Sequence, residues 1–236
     1  MSAVSGILFD KDGTLIDFSA SWTPALHQAA DEFSNGDNAA AAKVLAASGY
    51  DAQSQRVLSG SVLAAGNNEE IAQCWAQALG KTFNPEMTAQ LNATFAYHSA
   101  HSSVPVTDLP ALFSQFKAAG IKIGVATSDS EEGARKTLEV AGALEMMDFV
   151  CGFDTGHGIK PESGMVDAFC RELGLSADAV MVVGDNTHDL HMARNGNAKY
   201  AIGVLTGTSN RDDLHEADYV LDSIAHIPAL LETLNG

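Results

Sequence analysis

The 236-residue chain carries 13 basic and 30 acidic residues, which gives a net charge of −17, and 46% of its residues are hydrophobic. The length fits one large domain or a domain with an insertion, and the apolar content is sufficient for a sizeable core. A chain this acidic repels nucleic acid and anionic membranes at long range, so neither is expected as a partner. An anionic substrate would need a local positive field from a metal ion, a lysine or helix N-termini.

The cysteines and the N-terminus both predict a cytoplasmic protein. Cys74, Cys151 and Cys170 lie far apart and form no CxxC pair, which argues against a disulfide framework and a zinc site. The N-terminus has no basic region followed by a long apolar core, so no signal peptide is expected. No apolar run approaches the roughly 18 residues of a membrane span. The sequence leaves open whether the protein is a monomer or a homodimer.

The chain begins with a short apolar segment, "GILF" at 6–9, that is typical of a buried strand and leads directly into "DKDGT" at 10–14. From about residue 16 to 103 strand-like runs disappear, and Ala, Gln, Asn and Glu dominate. Helix-start signals in this segment are Thr23-Pro24, Asn68 before two glutamates, and Asn84-Pro85. The segment is therefore predicted to be a helical cap domain (16–103) inserted into a core domain (1–15 and 104–236).

From about residue 104 the chain alternates between strand-like and helix-like segments. Strands are predicted at 121–127, 148–152, 179–184, 199–203 and 219–221, and helices at 131–141, 163–173, 188–194 and 224–234. This alternation predicts right-handed crossovers and a parallel sheet with helices on both faces. The expected fold class is α/β, with a Rossmann-like parallel sheet as the core and an inserted helical cap.

Polar side chains follow several of the predicted strands, at the edge where open parallel sheets bind their ligands. These residues are Asp10, Asp12, Thr127, Ser128, Lys160, Asp185 and Asp189. They come from segments far apart in the sequence, so only the fold would bring them together.

Such a set of residues has a coherent use in phosphoryl transfer. Asp10 can attack phosphorus to form an aspartyl-phosphate, and Asp12 can protonate the leaving oxygen and later activate water. Asp10 and Asp185 offer hard oxygen ligands suited to Mg²⁺. Thr127 can hydrogen-bond a phosphoryl oxygen, and Lys160 can neutralise developing charge on the phosphate and on Asp10.

These motifs resemble those of the haloacid dehalogenase superfamily, and in particular its phosphoglycolate phosphatase-like members. The resemblance rests on "DKDGT" at 10–14, Thr127, Lys160-Pro161 and "GDNTHD" at 184–189, with helical material after the first motif. The C-terminal segment 203–231 also resembles phosphoglycolate phosphatases. The resemblance implies a Mg²⁺-dependent phosphomonoester hydrolase of a small phosphorylated metabolite, with 2-phosphoglycolate as the named candidate.

The resemblance also implies a role for each acidic residue of the motifs. Asp10 becomes the nucleophile and Asp12 the acid/base. Magnesium is expected on Asp10, on the backbone carbonyl of Asp12 and on Asp185. Asp189 matches the second acid of the last motif, which acts on the metal through water or supports Lys160.

Two residues depart from the pattern of the family. Lys11 stands where phosphoglycolate phosphatases usually carry an apolar residue, and it either faces solvent or tunes the charge of the site. Ser128 replaces an Asn, and it also fits a capping box with Glu131. The residues predicted to contact the substrate are Gly13, Thr14, Ser128 and Arg56, the last being the only arginine of the cap segment.

Two alternative functions remain open on the sequence. A phosphomutase of the same superfamily shares the acid pair but returns the phosphoryl group to a sugar, and Thr14 is more typical of hydrolases than of mutases. A non-catalytic phospho-binding or receiver-like protein also combines an aspartyl-phosphate, a hydroxyl, a lysine and Mg²⁺. Receivers, however, are much shorter chains and lack an acid at the position of Asp12.

Overall fold

The computed structural model describes residues 3–101 and 103–235. It separates into two compact units, one formed by Met1–Phe18 with Val104–Gly236 and the other by Ser19–Ser103. Among the described residues, no helix is both long enough and apolar enough to cross a membrane.

The described residues form eight strands and ten α-helices, together with three short 3₁₀ helices. The strands are β1 (Gly6–Phe9), β2 (Tyr50–Asp51), β3 (Arg56–Val57), β4 (Lys122–Ala126), β5 (Phe149–Cys151), β6 (Val180–Gly184), β7 (Tyr200–Val204) and β8 (Tyr219–Leu221). The helices are α1 (Phe18–Phe33), α2 (Asn38–Ser48), α3 (Val62–Ala65), α4 (Asn68–Ala78), α5 (Pro85–His101), α6 (Leu109–Ala118), α7 (Glu131–Val140), α8 (Gly164–Leu173), α9 (Thr187–Asn195) and α10 (Ile227–Asn235).

The first unit is built on a six-stranded sheet with the order β5-β4-β1-β6-β7-β8. Every neighbouring pair in it is parallel, and β1 lies at the centre between β4 and β6. Phe9, the last residue of β1, is level with Val125 of β4 and Val183 of β6. The predicted α/β class is therefore confirmed, and the chain segments that follow these three strands begin side by side.

Helices cover both faces of this sheet, and the alternation of side chains along the strands explains how. Ile7 and Phe9 of β1 belong to a core that also contains apolar residues of α6, α7 and α10. Leu8 belongs to a second core, on the other face, with residues of α8 and α9. Because successive strand residues point to opposite faces, a short apolar strand can contribute to both cores.

The chain passes from the first unit into the second and back through two hydrogen-bonded segments. The Asp17 N–H donates to the Val104 carbonyl at 2.8 Å, and the Val106 N–H donates to the Leu15 carbonyl at 3.0 Å. An antiparallel bridge between Ile16 and Pro105 lies in the same place.

The second unit contains most of α1, the helices α2 to α5 and a short antiparallel hairpin of β2 and β3. Helix α5 begins at Pro85, as predicted, but the predicted start at Thr23-Pro24 is wrong because α1 begins at Phe18 and contains Pro24. Buried residues lie on both sides of this proline, so packing outweighs the lost backbone hydrogen bond. The cap of α4 is Asn67 rather than Asn68, and it forms a capping box with Glu70.

Candidate active site

Strand β1 delivers Asp10 to the carboxyl edge of the sheet. The Asp10 N–H donates to the Val183 carbonyl at 2.8 Å, which continues the pairing with β6 by one residue. Three residues later the chain turns at Gly13, whose φ of 87° lies in the left-handed region that favours glycine. The turn leaves the Asp10 carboxylate next to the ends of β4 and β6.

A buried lysine and three carboxylates meet at this edge. Lys160 Nζ lies 2.5 Å from Asp10 Oδ1 and 2.6 Å from Asp189 Oδ1, and its side chain is only 3% exposed. Asp10, Asp185 and Asp189 each offer a carboxylate oxygen within 4.8 Å of the others. Four residues that the sequence placed after three different strands are therefore in one cluster.

The cluster holds more negative charge than its lysine balances. Burial, followed by the charge of Asp189, raises the pKa of Asp10 to about 7 even though Lys160 acts in the opposite direction. Burial and the charges of Asp10 and Asp189 also raise the pKa of Asp185 well above its ordinary value. Burial lowers the pKa of Lys160, but the two carboxylates beside it raise that pKa more, so the ammonium form is favoured.

The donor atoms of the cluster fit Mg²⁺. Lys160 Nζ donates a hydrogen bond to Asp10 Oδ1, and the Thr208 N–H donates one to Asp185 Oδ2 at 2.9 Å. Within the described part of the chain, Asp10 Oδ2 and Asp185 Oδ1 receive no hydrogen bond, so two hard oxygen ligands are available. Both oxygens of Asp189 are occupied, one by Lys160 and the other by the Asn186 N–H at 3.1 Å. These two hydrogen bonds favour the second of the predicted roles of Asp189, in which it supports Lys160.

Two glycines make room for Asp185. A Cβ atom on Gly13 would lie 2.6 Å from Asp185 Cγ, and one on Gly207 would lie 1.8 Å from Asp185 Oδ2. The Thr206 hydroxyl donates to the Gly13 carbonyl at 2.6 Å and so joins the two loops. The segment 206–208 was not among the predicted site residues, although it begins two residues after the end of β7 and obeys the same rule as the other strand ends.

Replacing Gly207 with alanine is expected to lower the free energy of unfolding by about 1–3 kcal/mol, because the added methyl group overlaps the Asp185 carboxylate. Urea unfolding in EDTA measures this change. The same replacement should have a smaller effect in an Asp185→Gly background, where the overlapping side chain is absent. An equal effect in both backgrounds would assign the loss to another contact.

Lys11 does not face solvent, so that interpretation of it is wrong. Its side chain is fully buried, and its Nζ lies 2.7 Å from Asp12 Oδ2 and 3.0 Å from Asp129 Oδ2. Burial lowers the pKa of Lys11, but the charges of these two carboxylates raise it more. The Asp12 carboxylate is thus paired with Lys11 and is outside the three-carboxylate cluster, and its backbone carbonyl stays a predicted magnesium ligand. Asp129 was not among the predicted site residues.

Thr127 and Ser128 lie at the end of β4, where they were predicted. Thr127 is buried and its hydroxyl oxygen accepts a hydrogen bond from the Asp129 N–H at 3.1 Å, whereas Ser128 is exposed. The predicted capping role of Ser128 is wrong. The cap of α7 is Ser130, which accepts from the Gly133 N–H at 3.1 Å, because the loop before the helix is two residues longer than the capping pattern required.

Two further residues, Thr14 and Arg56, were predicted to contact the substrate. The Thr14 side chain is fully buried, and its hydroxyl has no hydrogen-bond partner among the described residues. Arg56 is exposed and belongs to the hairpin of the second unit, where it is level with Asp51 of β2. Contact of either residue with a substrate stays a prediction.

The sequence of this chain is similar to those of known proteins. A family model described as haloacid dehalogenase-like hydrolase matches residues 7–203. A phosphoglycolate phosphatase of Vibrio cholerae is 27% identical over 234 residues, which cover 95% of each chain. The pyrophosphatase PpaX of Halalkalibacterium halodurans is 27% identical over 157 residues, which cover 64% of this chain and 72% of the relative.

Solved structures show the same fold. A predicted phosphoglycolate phosphatase from Haemophilus somnus superposes with a TM-score of 0.75 at 18% identity, covering 98% of this chain and 99% of its own. A beta-phosphoglucomutase from Clostridium difficile superposes with a TM-score of 0.64 at 17% identity, covering 98% of this chain and 99% of its own. At these identities the likeness concerns the fold alone, and the fold serves both a hydrolase and a mutase.

Proposed function

The chain belongs to the haloacid dehalogenase-like hydrolases, and on that premise we propose that it is a Mg²⁺-dependent phosphomonoester hydrolase that acts through an aspartyl-phosphate. The observation that carries the proposal is the buried group at the carboxyl edge of the sheet, in which Lys160 bridges Asp10 and Asp189 beside Asp185. Family membership argues against a non-catalytic receiver-like protein.

Asp10 acts as the nucleophile in the proposed reaction. Its carboxylate attacks the phosphorus of the substrate while the bond from phosphorus to the leaving oxygen breaks. Lys160 holds the carboxylate through Oδ1 and offsets negative charge on the transferring group. Thr127, at the end of the neighbouring strand, is proposed to hydrogen-bond a phosphoryl oxygen.

Asp12 transfers the protons of both half-reactions. It donates one to the leaving oxygen as that oxygen departs, and then accepts one from the water molecule that attacks the phosphoenzyme and releases Asp10. The Asp12 side chain is 23% exposed, which is consistent with access for a leaving group and for water.

Magnesium would be held by Asp10 and Asp185 together with the backbone carbonyl of Asp12. When bound, the ion supplies the positive charge that lets an anionic phosphate approach these carboxylates. Asp189 is proposed to orient Lys160 instead of binding the ion directly, because both of its oxygens are already occupied.

The proposed substrate is a small phosphorylated metabolite. The relatives named phosphoglycolate phosphatase make 2-phosphoglycolate the first candidate, and those named pyrophosphatase add inorganic pyrophosphate. The unit Ser19–Ser103 is proposed to act as the cap domain that selects among such compounds, with Arg56 as a candidate partner for a substrate carboxylate.

Phosphate release from a metabolite panel in Mg²⁺ tests the proposal. We expect release from p-nitrophenyl phosphate and faster turnover of at least one small phosphomonoester, with 2-phosphoglycolate and pyrophosphate as separate arms. A matched assay follows isomerisation of sugar phosphates. Isomerisation without phosphate release would indicate a phosphomutase, and absence of both activities would contradict the proposed chemistry.

A further inference from the structure

A buried lysine connects the two loops that carry Asp12 and Thr127. Lys11 Nζ contacts Asp12 Oδ2 in its own loop, and it contacts Asp129 Oδ2 in the loop after β4. The two loops are neighbours because β1 and β4 pair directly, with Phe9 level with Val125. The Lys11 side chain has no exposed surface, whereas Asp12 and Asp129 are 23% and 31% exposed.

Asp129 is itself held by two hydrogen bonds. Its Oδ1 atom accepts a hydrogen bond from the Ser130 N–H at 2.7 Å, and its own N–H donates to the Thr127 hydroxyl at 3.1 Å. The absence of a side chain on Gly133 leaves room for its carboxylate, since a Cβ atom there would lie 2.7 Å from Asp129 Oδ2. The position of Asp129 is therefore restricted, and Lys11, which pairs with it, also pairs with the Asp12 carboxylate.

This arrangement restricts the Asp12 carboxylate more than its partial exposure would suggest. A buried ammonium group is costly unless carboxylates pair with it, so loss of either contact is unfavourable. The pairing fixes Oδ2 of Asp12 towards the protein interior and thereby limits rotation of the carboxylate. Proton transfer requires such restriction, because an error of about 1 Å in placement can lower a rate about 100-fold.

We propose that Lys11 and Asp129 are positioning residues that orient the Asp12 carboxylate for proton transfer. The inference rests on the proposed function, and it adds two residues that do not touch the reacting atoms. It follows that a leaving oxygen that needs a proton depends on Lys11, whereas one that departs as a stable anion does not. The dependence on Lys11 should therefore vary with the leaving group.

The test compares the first turnover of two aryl phosphates in Mg²⁺ by rapid mixing. Phenyl phosphate needs a proton on its leaving oxygen, and 2,4-dinitrophenyl phosphate does not. In Lys11→Met the rate of phenol release should fall by about 30-fold or more, which is a part of the roughly 100- to 10,000-fold that general acid catalysis supplies. The burst of dinitrophenol should change by less than about threefold, since that step uses no general acid. Asp129→Asn should show the same pattern with a smaller loss.

Lys122→Met is the matched control. Lys122 also pairs with a carboxylate, Asp148 at 3.1 Å, but it lies at the opposite end of β4 from the site. Both substrates should keep wild-type rates in this variant. Circular dichroism melting curves establish whether each variant is folded.

Each outcome either supports or overturns the positioning role of Lys11 and Asp129. Equal losses on the two substrates in folded Lys11→Met, or no loss on either, overturn the inference and leave the proposed function intact. If Lys11→Met does not fold, the ratio of the two losses in Asp129→Asn decides by the same criterion. A wild-type protein that releases neither leaving group overturns the proposed function, and this inference with it.

Discussion

Replacing Asp10 with asparagine is expected to lower turnover of p-nitrophenyl phosphate at least about 1,000-fold, because the amide oxygen cannot serve as the nucleophile. The residue keeps its shape and its place at the end of β1, so substrate access is unchanged. Steady-state phosphate release measures the effect. Activity near the wild-type level would contradict the aspartyl-phosphate mechanism.

The same variant should remain folded, which separates a chemical effect from a structural one. Burial raises the pKa of Asp10 to about 7, so the folded protein disfavours the ionised carboxylate at higher pH. A neutral asparagine removes that unfavourable charge, and the melting temperature in EDTA at pH 8 should not fall below the wild-type value. Asp167→Asn, the same change on the exposed face of α8, is the matched control for activity.

Magnesium is expected to raise the melting temperature of the protein more at pH 8 than at pH 5.5. The pKa of Asp10 is about 7 in the folded protein, against an ordinary value of 3.8. Between these values the folded state retains a proton that the unfolded chain releases, so stability without metal falls as pH rises through this window and then levels off. Bound Mg²⁺ competes with that proton and offsets the charge, so its stabilising effect grows with pH.

The size of this effect follows from the ion concentration. At 100 times the dissociation constant, binding adds about 2.7 kcal/mol to the free energy of unfolding. For a chain of this length that corresponds to about 5–10 °C. Melting curves with Mg²⁺ and with EDTA, at both pH values, supply the comparison. Asp185→Asn should lose the response while Asp167→Asn keeps it; an equal shift at the two pH values would refute the charge argument.

The sequence was sufficient to predict the carboxylate cluster, because its members obey a rule of topology. Asp10, Asp185 and Lys160 each follow a strand of one parallel sheet, and such strands end at a common edge. The apolar runs were long enough to locate the strands within one or two residues. Knowledge of side-chain contacts was not needed to place these groups together.

The contacts of Lys11 could not be predicted in the same way. The sequence left two roles open for Lys11, exposure to solvent or adjustment of the charge of the site, because strand alternation gives no direction beyond the end of the strand. The chain leaves strand geometry at this point, and the long lysine side chain turns back to Asp12. Its second partner, Asp129, lies more than 100 residues away in a loop whose length the capping pattern misjudged. Such pairs depend on loop conformation, which periodicity does not encode.

The paired segments at 15–17 and 104–106 have a consequence for how this protein can diverge. The inserted unit is connected to the first unit through these two segments, and backbone hydrogen bonds join the segments to each other. Hydrogen bonds between backbone groups do not depend on which side chains the inserted unit carries. The entropic cost of closing a loop also rises only slowly with the length of the loop. Inserts of different size and sequence can therefore be exchanged between these two segments while the strand that carries Asp10 stays in register.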